Sequence, residues 1–198
     1  MKRANRNSMT FLTPAEVLAV LRVAKQHRVR DWAMILMAYR HGFRASEICA
    51  LQLSDVDLKH HSVVVQRLKG SLKTTQPLYA HRGQPLLDEP TALTAWMKQR
   101  DDDGSPFLFT SQKGGKLDRT QFFRLFQAIA EAAGLPVEKR HPHCLKHSLA
   151  SHLVASNVNL ALVKQALGHR SISSTLVYVG TTDTQASTAV QSAMMATY

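Results

Sequence analysis

The chain has 198 residues, with 25 Lys and Arg against 14 Asp and Glu, a formal charge of +11 and a pI of about 10.1. With 44% hydrophobic residues it can build a core, so a wholly disordered chain is excluded, and the length fits one domain. No window approaches the run of about 18 apolar residues that reads as a membrane span, and no apolar signal-peptide core follows the basic start. Cys49 and Cys144 alone cannot make a disulfide framework. These features predict a cytoplasmic, nucleoid-associated protein. Positive charge spread through the folded region, without a lysine-rich tail, points to nucleic acid as partner.

In chain order, residues 1–10 read as a basic arm. Thr13 as N-cap, Pro14 at the first helical position and Glu16 closing a capping box start a helix with Leu18, Leu21 and Ala24 as its apolar stripe. A second helix, Val29 to His41, is apolar nearly all round, the signature of a central buried helix, and Gly42 ends it. A short helix follows around Ser46–Leu51. Ser62 to Leu68 and Thr74 to Tyr79 read as two strands joined by a Gly70-Ser71 turn, with Pro77 placing the second at an edge or near its end. Helical pattern resumes over Pro90–Arg100. Asp118 and Gln121 form another capping box, ahead of Phe122, Leu125, Phe126 and Ile129 at helical spacing. Two more helices, Pro142–Ser156 and Asn159–Leu167, are followed by a helical turn over Ser173–Val179. The fold class is mainly α with a small antiparallel β-sheet, in one domain.

Three segments combine histidines, cations and hydroxyls in ways that packing does not demand. Arg44 and Glu47, at a helix junction, are either a surface ion pair or a phosphate-directed guanidinium oriented by its own carboxylate. His141, His143, Lys146 and His147 cluster at a helix start; their spacing matches no standard zinc pattern, so no metal is expected. The alternative for these histidines is core packing or capping. Gly168 turns the chain to present His169, and Tyr178 follows nine residues later. Lys113, Lys116, Arg119 and Arg124 surround the start of the Asp118 helix, where they read as DNA-binding residues or as a solvated basic face.

Together, Gly-Phe-Arg44-Ala-Ser-Glu47, Arg-Leu-Lys69-Gly, His143-Cys-Leu-Lys146-His147, Leu-Gly-His169 and Tyr178 resemble the ordered motifs of the tyrosine recombinase/integrase family. The match spans Thr13 to about Tyr178, and the Gly-Phe-Arg-Ala-Ser-Glu-Ile-Cys string is similar to the fimbrial phase-variation invertases of bacteria. The resemblance implies a tyrosine recombinase catalytic-domain fold and cleavage of DNA through a 3′-phosphotyrosyl link to Tyr178. It implies that His143 takes the phenol proton and that Arg44, Lys146 and His169 hold the non-bridging oxygens. The resemblance further implies that Lys69 on the hairpin, or its rival Lys73, protonates the leaving 5′-oxygen and that Glu47 orients its neighbours. No cofactor is implied.

The domains then read as the arm 1–10, a stand-alone catalytic region 11–181, and a tail 182–198 that docks in cis or on a neighbouring subunit. Partners are double-stranded DNA, further copies in a homodimer to homotetramer on it, and accessory DNA-bending proteins. Arg170 joins Lys73 among the expected DNA contacts. One departure stands out: the family's second arginine is Lys146 here, a point charge without a bidentate fork. The alternative reading is therefore a non-catalytic, sequence-specific DNA-binding relative.

Overall fold

The computed structural model describes residues 10–67, 73–102, 104–111, 114–169 and 171–178, with Gln191, Met194 and Met195 of the tail. The Thr13 hydroxyl accepts from the Glu16 amide and the Glu16 carboxylate accepts from the Thr13 amide, opening α1 (Pro14–His27). Val17, Val20, Leu21 and Ala24 enter the core, while Leu18 is only half-buried. Helix α2 (Val29–Arg40) is buried without a break from Asp31 to Ala38, as its all-round apolar character requires. The chain leaves it through Gly42 at φ +58°. A Cβ there would stand 3.0 Å from Leu167 Cδ2, so glycine closes this corner for both conformational and steric reasons. Helix α3 (Ala45–Ile48) is shorter than the expected Ser46–Leu51 segment.

The expected hairpin is present as β2 (Ser62–Val65) and β3 (Thr74–Pro77), and β1 (Val56–Asp57) adds a third antiparallel strand on its far side. Two residues are too few to show alternation, which is why β1 escapes a periodicity reading. Pro77 lies opposite Ser62 on the edge strand, where its missing N–H is tolerated. Val63 and Val65 point into the core. The hairpin turn with Lys69 lies outside the described residues.

Helix α4 (Glu89–Gln99) is capped by Asp88 and α5 (Arg119–Ala132) by the Asp118–Gln121 box. On α5, Phe122, Phe126, Ile129 and Ala130 are buried and Leu125 half-buried. Helices α6 (His143–Ala155), α7 (Leu160–Leu167) and α8 (Ser173–Leu176) complete the described fold. Helix α2 packs against α1, α4 and α6, α5 against α1 and α3, and α7 against α6 and α8. Helix α6 is apolar on two sides: Cys144 and Leu145 join the main core, and Ala150 joins a smaller cluster with Val163, Leu167 and the Tyr178 ring. Most of the arm 1–10 and the tail 182–198 fall outside the described residues; Thr10 is inside and its hydroxyl lies 3.0 Å from His141 Nε2. Among the described residues, no helix is long and apolar enough to cross a membrane.

The two neighbouring faces of α5 make a stability test. Phe126 is fully buried and Phe123 is 43% exposed. Phe126→Ala is expected to lower the unfolding free energy by about 3–5 kcal/mol, and Phe123→Ala by at most about 1 kcal/mol, both read from urea titrations.

Candidate active site

Arg44 is the N-cap of α3, with extended backbone, so its side chain leaves the helix start toward solvent while its own amide is tied down. Glu47 Oε2 accepts from the Arg44 amide at 2.9 Å and Glu47 Oε1 accepts from Arg44 Nη1 at 2.7 Å. The carboxylate is buried and the guanidinium 38% exposed, so the acid is the fixed partner and the arginine the presented one. Behind them lies Arg67, just past the end of β2, its side chain wholly buried. Its Nη1 donates to the Gly42 carbonyl at 2.9 Å and to Glu47 Oε2 at 3.3 Å. Its Nη2 donates to the His41 and Ala166 carbonyls at 2.7 and 2.9 Å.

Helix α6 brings the histidine cluster to the same place. Lys146 is 2% exposed, and its Nζ donates to the Leu167 carbonyl at 2.9 Å. Burial, then the Arg67 and Arg44 guanidinia, push its ammonium down to about 7. One residue on, His147 Nδ1 lies 2.6 Å from the Tyr178 hydroxyl. His143, one turn earlier and exposed, meets the His147 ring edge-on at 4.4 Å between centroids. Gly168, at φ +64°, ends α7, and a Cβ there would stand 2.8 Å from Arg67 Cγ. The next residue, His169, has Nδ1 3.0 Å from Thr175 Oγ1, so α8 orients this imidazole.

The electrostatics make this one site. Burial lowers His147 to about 4, helped by His143, His141, Lys146 and His169. Burial lowers His169 to about 4, helped by Lys146, Arg44 and Arg67. His143 is lowered by partial desolvation, then by Lys146, His141 and Arg44. Burial raises the Tyr178 phenol above its usual range. A protonated phenol thus lies beside a neutral imidazole, among cations whose charges oppose one another.

Of the expected site residues, the structure thus brings together Arg44, Glu47, His143, Lys146, His169 and Tyr178. Lys69, Lys113 and Arg170 lie outside the described residues. Lys73 is exposed where the chain enters β3. Lys116 lines a cleft of about 340 Å³ that reaches Glu47 and Arg67, and Lys116 and Arg119 line a second one beside Ser46 and Cys49. Arg124, exposed further along α5, lines neither.

Sequence reasoning left Arg67 without a role, although a signal was present. Arg67 continues the two-residue alternation of buried Val63 and Val65, so a strand reading places it inward. It also left unseen the buried pair His41–Glu89, 2.8 Å apart, and Gln76, which faces His41 Nδ1 and donates to the Ala166 carbonyl. These contacts anchor β3 to the ends of α2 and α7.

The phage integrase family model matches residues 10–185. The type 1 fimbriae regulatory protein FimB of Escherichia coli (strain K12) is 36% identical over 181 residues, covering 89% of this chain and 86% of FimB. The tyrosine recombinase XerA of Pyrococcus furiosus is 31% identical over 185 residues, covering 92% of this chain and 61% of XerA. A crystal structure of the XerH site-specific recombinase bound to difH substrate matches with a TM-score of 0.75 at 24% identity, over 96% of this chain and 57% of that one. The chain therefore spans most of FimB but less than two thirds of these two recombinases.

Two measurements test the geometry. Arg67→Ala leaves Glu47 buried without one of its partners and is expected to cost about 3–5 kcal/mol of unfolding free energy in urea. Because the folded His147 and His169 bind protons only near pH 4, against 6.5 for the free side chain, the unfolded chain holds more protons between those values. Stability is therefore expected to rise with pH across that window and to fall as acid is added, and His147→Gln or His169→Gln is expected to flatten the slope.

Proposed function

The chain belongs to the phage integrase family, and from that premise we propose a site-specific DNA recombinase in which Tyr178 cuts a strand and holds it as a 3′-phosphotyrosyl link. The observation that carries this reading is the Tyr178 phenol, hydrogen-bonded to an imidazole within a cluster of cations. A phenol of pKa about 10 is a poor nucleophile at neutral pH and needs a proton acceptor. The pentacoordinate phosphorane needs donors already pointed at its oxygens.

Arg44, held at one edge by Glu47, and His169, held by Thr175, bind the non-bridging oxygens. Lys146 contributes charge from beneath them. His143, at the exposed mouth of the site, is the proton acceptor suggested by family resemblance. Lys69, or its rival Lys73, protonates the leaving 5′-oxygen. The phosphotyrosyl bond conserves the energy of the phosphodiester, so rejoining by the 5′-hydroxyl needs no nucleotide.

Double-stranded DNA is the partner, and XerH bound to difH supports it by likeness. Lys73, Lys113, Lys116, Arg119, Arg124 and Arg170 supply contacts to its phosphates, which makes binding steeply salt-sensitive. Two to four copies assemble on the DNA, with the tail 182–198 docking between them or in cis, aided by DNA-bending proteins. A second reading, a DNA-binding relative without chemistry, is favoured by one observation: the buried Lys146 ammonium donates to a backbone carbonyl, where the family carries an arginine.

The test uses nicked fragments of the protein's own genome, selected for covalent attachment so that the site is found by the reaction itself. Wild type is expected to yield a DNA-linked band that disappears in Tyr178→Phe. A band in Lys146→Arg alone would support the second reading, and a band in neither would overturn recombination.

A further inference from the structure

Resting on the reading above that double-stranded DNA is the partner, we propose a second phosphate-binding site in the cleft between the turn joining α1 to α2 and the loop that leads into α5. It lies at the far end of α2 from the Gly42 corner and takes the DNA backbone on one flank of the cut. The cleft holds about 750 Å³; Lys25, Arg28 and Arg30 line it from the turn, and Asp101, Thr110 and Ser111 from the facing loops. Both walls are braced. Arg30, with a side chain 11% exposed, places Nε and Nη2 at 2.9 and 2.8 Å from Asp31 Oδ1 and donates from Nη1 to the Thr110 carbonyl at 3.0 Å. Trp96 Nε1 donates to the Leu108 carbonyl at 2.8 Å, which ties the same loop to α4.

The charge balance of the cleft is positive. Asp31 is fully buried and engaged by Arg30 and by His27 Nδ1, 2.6 Å away. Among the described lining residues, Asp101 is the one acid, against Lys25, Arg28 and Arg30. Lys25 Nζ stands 4.3 Å over the Trp32 ring, a cation–π contact that orients the ammonium at the cleft wall. Helix stability accounts for Lys25 and His27, which complement the negative C-terminal end of α1. It does not account for the arginines. Arg28 is the N-cap of α2 and Arg30 lies in its first turn, where the positive end of the dipole favours acids. Cations set against the helix dipole are set for an external anion.

The loop before α5 identifies the anion as a DNA strand. Thr110 pairs with Lys116 in an antiparallel bridge, so the two ends of this loop run side by side. Thr110 and Ser111 wall the cleft described here, and Lys116 walls the one that reaches Glu47 and Arg67. A duplex seated on Arg44 and Lys116 therefore continues onto Lys25 and Arg28. Helix α2 measures the interval: its 12 residues, at about 1.5 Å each, span about 18 Å, or about five phosphate steps along a strand. A small anion would meet one cluster of cations, whereas a strand presents phosphates to both at that spacing.

The experiment measures binding by fluorescence anisotropy over a range of sodium chloride concentrations, with Tyr178→Phe as the parent because it cannot form the adduct. Two probes are used, the nicked DNA recovered above and an unrelated duplex of equal length. Lys25→Gln combined with Arg28→Gln is expected to lower the slope of log affinity against log salt by about 2 and to weaken binding about 10-fold at moderate salt. Asp101→Asn is expected to bind more tightly, a gain that misfolding cannot mimic. On the recovered DNA, one neutral methylphosphonate about five steps from the cut is expected to weaken the parent and to leave the double variant unaffected. An unchanged salt slope, unchanged or weaker binding by Asp101→Asn, or a methylphosphonate loss that the double variant keeps in full at every position would overturn the proposal. The unrelated duplex separates this outcome from the fate of the reading beneath it. If no DNA yields an adduct, recombination fails, and the salt slope on that duplex still decides whether the cleft holds phosphate.

Discussion

The Arg67 side chain sits out of contact with solvent at the end of β2, with its donors on the Gly42, His41 and Ala166 carbonyls and on Glu47. Those partners belong to the turn after α2, the start of α3 and the end of α7, which are 20 to 99 residues from Arg67 in sequence. A guanidinium suits this position because its planar fork can serve several acceptors at once, whereas an ammonium is a point charge. The same side chain lies so close to Gly168 that no other residue fits there without movement. Arg44, His169 and the strand leading to Lys69 are therefore referred to one buried group.

Three donors converge on the C-terminal carbonyls of α7. Arg67 and Gln76 reach Ala166, and Lys146 reaches Leu167. Positive charge at a helix C-terminus is favourable, and it satisfies carbonyls that the helix leaves unpaired. The arrangement also crowds cations together, and depressed proton affinities at Lys146, His147 and His169 are the visible consequence. That crowding is unfavourable in the free protein. Its counterpart is a set of side chains already held in place by their own hydrogen bonds, Arg44 to Glu47, Lys146 to the Leu167 carbonyl and His169 to Thr175.

The helix starts were legible because their determinants are local. Thr13 with Glu16, and Asp118 with Gln121, form both halves of their capping boxes where the spacing places them. The all-round apolar α2 lies at the centre of the core for the reason its composition states. The edge position of Pro77 follows from a missing donor. The strand β1 was not legible, since two residues carry no period, and α3 is shorter than its sequence pattern because the chain turns away after Ile48.

At the site, the residue types and their order along the chain were determined by sequence: an arginine with its acid three residues on, a histidine and lysine on one helical face, a glycine-histidine turn, and a tyrosine nine residues later. Geometry within one or two helical turns is set by covalent spacing, so such groupings survive reading in one dimension. Which imidazole meets the phenol, which cation is buried beneath the others, and which arginine ties the pieces together were decided only by tertiary structure. Each depends on contacts between segments far apart in the chain: His147 is 31 residues from Tyr178, Lys146 is 21 from Leu167, and Arg67 is 99 from Ala166. No local pattern encodes such distances, because they follow from how α6 and α7 pack on the core and on each other.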